Sequence, residues 1–323
     1  METRFEPLRE DDAAHRTHYN DVFQGIWPEF ALTDEEFAEE LAVSGPARRY
    51  LVFDVDHPDA SAVGTLAVER VTWSSDDAPP IVYAPLDLAR MSSGLVEDVV
   101  REAGVFAHEQ GFTDLKVLAW DREVAYVDQV LGWDGWREVE RAVDVAIDLT
   151  APAPAPREFP AGVAMTTVAE RPELLPGAYA CLELAIADIP ADEPEALPPY
   201  DEWLKGMRGL TARDEAIFLA VRDDEVVGFA GLEFRALLED ELWHGYTAVR
   251  PDARGLGLAF ALKLATIEYA RAAGFRSLRT ENEARNAPMR HINAQLGYEP
   301  VAARMTLRGP IASIPAPLSH NGA

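Results

Sequence analysis

Residues 249–259 read Val-Arg-Pro-Asp-Ala-Arg-Gly-Leu-Gly-Leu-Ala, the end of a strand, a glycine turn and the start of a helix. Gly255 and Gly257 let the backbone take conformations that a side chain forbids and let it come close to a ligand. The helix expected from Leu258 to Ala273 begins with unpaired N–H groups and the positive end of its dipole, a place for a phosphate group. A pyrophosphate is the expected guest. A nucleotide-hydrolase loop would need Gly-Lys-Ser/Thr after the turn, and a dinucleotide fold would need an acidic residue about 20 positions on. Neither pattern is present, since Glu281 lies too far along.

Upstream, Leu242 to Val249 is rich in strand formers. Downstream, Arg276 to Asn282 reads as a strand and Ala287 to Leu296 as a helix that opens after Asn286 and closes before Gly297. This order over Leu242 to Tyr298 resembles the GCN5-related N-acetyltransferase (GNAT) family, whose cofactor loop has Gln or Arg, two variable residues, Gly, a variable residue, then Gly or Ala. Arg254 takes the first position of that pattern, Gly257 and Ala259 take the small ones, and Gly255 is an additional glycine. The resemblance implies acetyl-CoA as co-substrate, with Thr247, Ala248 and Val249 pairing with the pantetheine arm. Arg254, Gly255, Leu256, Gly257, Leu258, Ala259 and Asn286 are then the other expected cofactor-binding residues.

The chain reads as a duplication. An offset of 163 lays Gly111 on Gly274, Ala107 on Ala270 and Leu115 on Leu278. Ala151 to Pro156, Ala-Pro-Ala-Pro-Ala-Pro, is a stiff linker that neither helix nor sheet tolerates. The expected domains are residues 1–150, a proline-rich linker at 151–160, an acetyl-CoA-binding domain at 161–308 and a flexible tail at 309–323. The fold class expected is α/β (α+β), two tandem GNAT-like domains, each a mixed and mostly antiparallel sheet flanked by helices. In the second half strands are expected at Val163 to Thr167, Ala216 to Val221, Val226 to Phe234 and Ala302 to Leu307, the last closing the sheet. The first half is expected to end on its own strand, Ala142 to Leu149.

The copies differ in the loop. At the same offset Arg254 falls on Met91, Gly255 on Ser92 and Gly257 on Gly94, while Asn286 falls on Glu123, or on Asp121 if a two-residue shift is placed earlier. The first half is therefore expected to be degenerate, kept for stability or for shaping the site; a second working site is the alternative. Charge follows the same division. The first 156 residues hold 12 Lys and Arg against 32 Asp and Glu, a balance of −20, and the remainder carries −7. Around the loop, Arg250, Arg254, Lys263, Arg271, Arg276, Arg279, Arg285 and Arg290 outnumber the carboxylates, which favours a polyanion locally. Lys263 and Arg271 are expected merely to solvate a helix face.

A net charge of −27 with no long basic stripe speaks against nucleic acid as a partner. It suits a cationic small molecule, and the acceptor is expected to be a primary amine. No signal-like or membrane-length apolar run is visible, so a cytoplasmic protein without membrane contact is expected, as monomer or homodimer. One cysteine, Cys181, offers no disulfide framework and no metal cluster; it is expected to pack inside a helix. No metal is expected. Ile189 to Pro199, with Asp192, Glu193 and Glu195, reads either as a substrate-side loop or as a plain surface connection.

Amine acylation needs a neutral amine, a stabilised carbonyl oxygen and a protonated or tolerated thiolate. His244, Glu281 and Glu233 are candidate bases; His244 reads equally as a structural histidine beside Trp243. The family often carries a tyrosine acid in its second helix, and Asn293 stands at that position. An amide cannot serve as that acid, though it can hydrogen-bond the thiolate. The expected catalytic residues are thus His244, Glu281 and Asn293, and the expected activity is N-acetyl transfer by the C-terminal domain. A non-catalytic acyl-CoA-binding or protein-interaction module is the alternative.

Overall fold

The computed structural model describes residues 3–316, apart from residues 56–60, 72–74, 76, 91–92, 153–158, 194–195 and 210. Most of the alanine-proline linker, Met91, Ser92, Glu195 and the tail from residue 317 onward lie outside the described residues.

The first half runs β1 (Thr3–Pro7), α1 (Ala13–Ile26), α2 (Asp34–Val43), β2 (Ala47–Asp54), β3 (Ala62–Glu69), β4 (Ile81–Tyr83), α3 (Ser93–Glu109), β5 (Asp114–Trp120), α4 (Val124–Leu131) and β6 (Arg137–Asp148). The second runs β7 (Ala164–Thr167), α5 (Leu175–Ile186), α6 (Tyr200–Met207), β8 (Ala212–Arg222), β9 (Glu225–Glu233), β10 (Glu241–Val249), α7 (Leu258–Ala272), β11 (Ser277–Glu283), α8 (Ala287–Leu296) and β12 (Glu299–Pro310). The internal offset is visible in these bounds. β5 and β11 start 163 residues apart and each has seven residues, and α4 and α8 start 163 apart as well. Leu86, the offset counterpart of Val249, bridges Gly64 of β3, while Val249 pairs with Gly228 of β9.

Two compact units result, residues 1–141 with 303–323, and residues 142–302. Strand order in the first is β1-β2-β3-β4-β5-β12 and in the second β6-β11-β10-β9-β8-β7. Only β4 with β5 and β10 with β11 are parallel; the other neighbours within each unit pair antiparallel. The closing strands depart from the expectation. Arg304 to Pro310 pair with Trp120 to Asp114 in the first unit, whereas Ala142 to Asp148 pair with Glu283 to Ser277 in the second. Each half thus completes the sheet of the other. The two strands end equivalent halves with equivalent patterns, so nothing in their alternation says which partner edge each one takes.

The first unit's core packs Val96, Val99, Val100, Ala103 and Phe106 of α3 against Leu115 and Val117 of β5 and Leu307 of β12. In the second unit α7 is apolar nearly all round, as a helix enclosed on most sides must be. Phe260, Leu264 and Ile267 enter one cluster with Leu278 and Leu296, and Leu258, Leu262 and Ala265 enter another with Phe218 and Val227. Lys263 and Thr266 are buried in the same helix. Lys263 is therefore not the solvated position its charge suggested, and Arg271 is half-buried.

Candidate functional site

The parallel strands β10 and β11 pair only between Glu241–Trp243 and Ser277–Arg279. Beyond that point the ladder stops, and a bulge between His244 and Thr247 re-aims β10 against β9. Thr280 Oγ1 donates to the His244 carbonyl at 3.2 Å, supplying the acceptor with the partner that the ladder no longer provides. Past this fork β10 delivers the chain to residues 254–259. There Gly255 and Gly257 have φ of +74° and +81°, in the left-handed region, and Gly257 is the N-cap of α7 with no side-chain cap bond. A Cβ at either glycine would meet nothing within 4 Å. The glycines are needed for their conformation, and the space before them is free for a ligand.

A cavity of about 440 Å³ opens at this place. Nine of the ten expected cofactor-binding residues line it: Thr247, Ala248, Val249, Arg254, Gly255, Gly257, Leu258, Ala259 and Asn286. Leu256 is not among the lining residues and is 48% exposed. Asn286 Oδ1 accepts from Met289 N at 3.3 Å, so the same side chain caps α8. The remaining wall was not foreseen. Pro288, Met289, Ile292 and Gln295 supply one face of α8, and Leu182, Ala185, Asp188 and Ile189 come from the end of α5 and the turn after it. The spacing 288, 289, 292, 295 is a helical stripe that the sequence displays, without saying whether it faces core or cavity.

The arginines around the loop are mostly engaged. Arg254 Nη1 donates to Asp188 Oδ2 and its Nε to Val249 O at 3.2 Å. Arg250 is held by Asp252 and Glu225, whose hydrogen bonds raise its already high pKa. Arg285 pairs with Glu283 and Arg279 with Glu241. The Asp188 carboxylate thus sits on the guanidinium that the loop pattern offers to a phosphate. An apolar channel leading to an uncapped helix start and an arginine fits the pantetheine and pyrophosphate of coenzyme A.

The expected catalytic residues are not brought together. His244 is 3% exposed, does not line the cavity, and has both ring nitrogens against threonine hydroxyls. Burial, with the nearby Lys263 charge, pushes its pKa well below the usual histidine value. Glu281 is exposed on β11 and lies outside the cavity wall. Glu233 lies 3.8 Å from Arg235 and is not among the lining residues. Asn293 is buried and donates to Asn282 Oδ1, and its own Oδ1 has no hydrogen-bond partner among the described residues. Among the lining residues only Asp188 and Arg254 carry ionisable side chains. Cys181 is buried in α5, and burial raises its thiol to about 11, so it stays protonated at neutral pH. No group of three or more potential metal ligands occurs among the described residues, and no described helix is long and apolar enough to cross a membrane.

Residues 178–298 match the family described as acetyltransferase (GNAT) family. The chain has a tandem GNAT-like fold, with the family match confined to the second half, consistent with a degenerate first half. It is similar over 96% of its length to a tandem GNAT protein from the clavulanic acid biosynthesis pathway, with 99% of that chain covered, a TM-score of 0.72 and 19% identity. A GCN5-related N-acetyltransferase from Sphaerobacter thermophilus is similar over 96% of both chains, with a TM-score of 0.69 and 20% identity. A glucosamine N-acetyltransferase region of a fungal multi-domain β-N-acetylglucosaminidase covers 95% of this chain and 38% of its own, at TM-score 0.64 and 13% identity. Among curated proteins nothing matches. Fold and family match together support acetyl-CoA-dependent acyltransferase chemistry in general.

Proposed function

We propose that the second unit, which holds most of the acetyl-CoA-binding domain expected at 161–308 but takes β6 in place of β12, moves an acetyl group from acetyl-CoA to a primary amine of a small cationic molecule. The observation that carries this reading is the loop at residues 254–259, whose left-handed glycines open onto a cavity at the fork of β10 and β11. Arg254, Gly255, Leu256, Gly257, Leu258 and Ala259 would hold the pyrophosphate; Asn286, the N-cap of α8, lines the same cavity. Thr247 to Val249 would align the pantetheine arm, and binding energy from the distant phosphates would position the thioester. Acetyl-CoA supplies the acyl thioester when bound, and coenzyme A is the leaving thiol. Residues 1–150, less the strand Ala142 to Asp148 that pairs in the second unit, would serve as a degenerate partner domain joined through the linker at 151–160; the tail expected at 309–323 begins later, since Gly309 and Pro310 pair with β5 and Ile311 and Ile314 pack on the first unit's core. A small soluble cytoplasmic enzyme, monomer or homodimer, without nucleic acid or membrane partners, fits the acidic composition.

Acid–base chemistry is the sparse part of this site. Of the candidates, Asn293 and Glu281 stand off the cavity wall and His244 touches it only through Thr247. Asp188 is the carboxylate in the wall, suited to receive a cationic amine. The scarcity of proton-transfer groups favours a second reading, an acyl-CoA-binding module without turnover. Calorimetry with acetyl-CoA, followed by a thiol-release assay over a panel of primary amines, separates them. Binding with turnover of cationic amines supports transfer; binding without turnover supports the module. Turnover limited to anionic or neutral acceptors would sink the proposed substrate class.

A further inference from the structure

Under the cavity wall lies a polar chain that the pocket itself does not display. Thr247 lines the cavity, and its Oγ1 is 2.9 Å from His244 Nε2. On the other side of the ring, His244 Nδ1 is 3.3 Å from Thr266 Oγ1, which donates to the Lys263 carbonyl at 2.8 Å. Donor arithmetic orients this chain. A hydroxyl has one hydrogen, and that of Thr266 is spent on the shorter bond to the helix carbonyl. Thr266 can then only accept from His244, so the imidazole hydrogen sits on Nδ1. The ring is kept neutral by burial and by Lys263, so Nε2 is an acceptor and Thr247 must donate to it. The Thr247 hydroxyl has lone pairs, and no hydrogen, left for the cavity.

Nothing in the fold requires these polar groups. At the offset of 163, His244, Thr247, Lys263 and Thr266 correspond to Ile81, Ala84, Val100 and Ala103. Val100 and Ala103 are fully buried in α3, and Ala84 is 2% exposed. The half without the loop fills the same positions with hydrocarbon, which costs less than burying hydrogen-bonded polar groups. The half with the loop carries the chain from core to cavity.

We propose that His244 is a positioning residue that fixes Thr247 as an acceptor-only hydroxyl, so that the ligand group seated against it is an N–H donor. The inference rests on the reading of the cavity as an acyl-CoA cleft. Two N–H sources meet it, a pantetheine amide of the cofactor or the amine of the acceptor. A carbonyl or phosphate oxygen at this point is disfavoured, since two acceptors would face each other.

The test uses the full chain labelled with ¹⁵N-histidine at pH 7. Long-range ¹H–¹⁵N correlation should show His244 neutral with hydrogen on Nδ1, the signal being assigned from H244Q or, should that variant not fold, from the perturbation in T247V. Hydrogen on Nε2, or an imidazolium, overturns the proposal. Calorimetry with coenzyme A and the KM of the best amine then place the donor. T247V should weaken one of the two by about fivefold, the worth of one neutral hydrogen bond, with T247S restoring it. Loss confined to coenzyme A affinity assigns the pantetheine amide, and loss confined to the amine KM assigns the acceptor. T247V unchanged in both, or T247S as impaired as T247V, overturns the role. Failure of the wild-type chain to bind coenzyme A would instead remove the cofactor reading and leave the tautomer result standing.

Discussion

Glu123 and Asn286 occupy the same place in the two halves, at the N-caps of α4 and α8 just after the parallel strand. Glu123 is turned inward. It accepts from Trp27 Nε1 at 2.9 Å and from Trp120 N at 2.8 Å, and burial raises the pKa of its carboxyl. Trp27 and Trp120 are fully buried, with ring centroids 6.4 Å apart, so the region is packed with indole. Asn286 bonds its own helix and faces the cavity. One backbone, used twice, is filled with aromatic side chains in the first half and left open beside two left-handed glycines in the second.

The largest effect expected is Trp27→Ala, which should lower stability by about 4 kcal/mol, through a large cavity and the lost partner of Glu123 Oε1. Denaturant unfolding measures the loss, while coenzyme A affinity of the surviving folded fraction should stay unchanged; a parallel loss of affinity would break the division of labour between the halves. Gly257→Trp should weaken coenzyme A binding by roughly a hundredfold, the equivalent of two bonds to a charged group, and strain the left-handed position by only about 1–2 kcal/mol. Gly94→Ala, at the matching position of the first half, should leave calorimetric affinity as it is.

Lys263→Val gives the second half the residue of the first. Burial lowers the Lys263 pKa from its usual range to about 7, so between pH 7 and the unfolded value the unfolded chain binds more protons and stability rises with pH. The burden of the charge is greatest below pH 7 and fades above it. The variant should therefore be more stable than the parent by roughly 2 kcal/mol at pH 6, with the gain shrinking towards pH 10. A pH-independent difference in melting would show that Lys263 keeps its ordinary pKa and stays charged in the folded chain. The smallest effect belongs to Asp188→Asn, which frees Arg254 and should tighten coenzyme A binding about threefold, as befits an exposed ion pair. Weaker binding would mean that Asp188 supports the cradle.

The glycine loop, the repeat offset and the helix before Gly297 were legible because they rest on backbone demands, which residue type discloses locally. The resulting pocket assignment covers Thr247 to Ala259 except Leu256 in the expected set, and Asn286. Three features were not legible. Charge suggested a solvated Lys263, but a helix enclosed by apolar neighbours takes it inside. His244 sits beside Trp243 in sequence, yet one of its two ring partners, Thr266, comes from α7, 22 residues on. The filling of the first half depends on Trp27, nearly 100 residues from Glu123, and no spacing rule joins them.

The exchange of β6 and β12 has a consequence for how the protein is made. Residues 142–302 are complete in sequence before Arg304 to Pro310 leave the ribosome, while the earlier residues still have β5 as a bare edge awaiting that segment. An unpaired edge invites association with other chains. The portion synthesised first is thus the last to be sealed, and cutting the gene between the halves would give each fragment the wrong final strand.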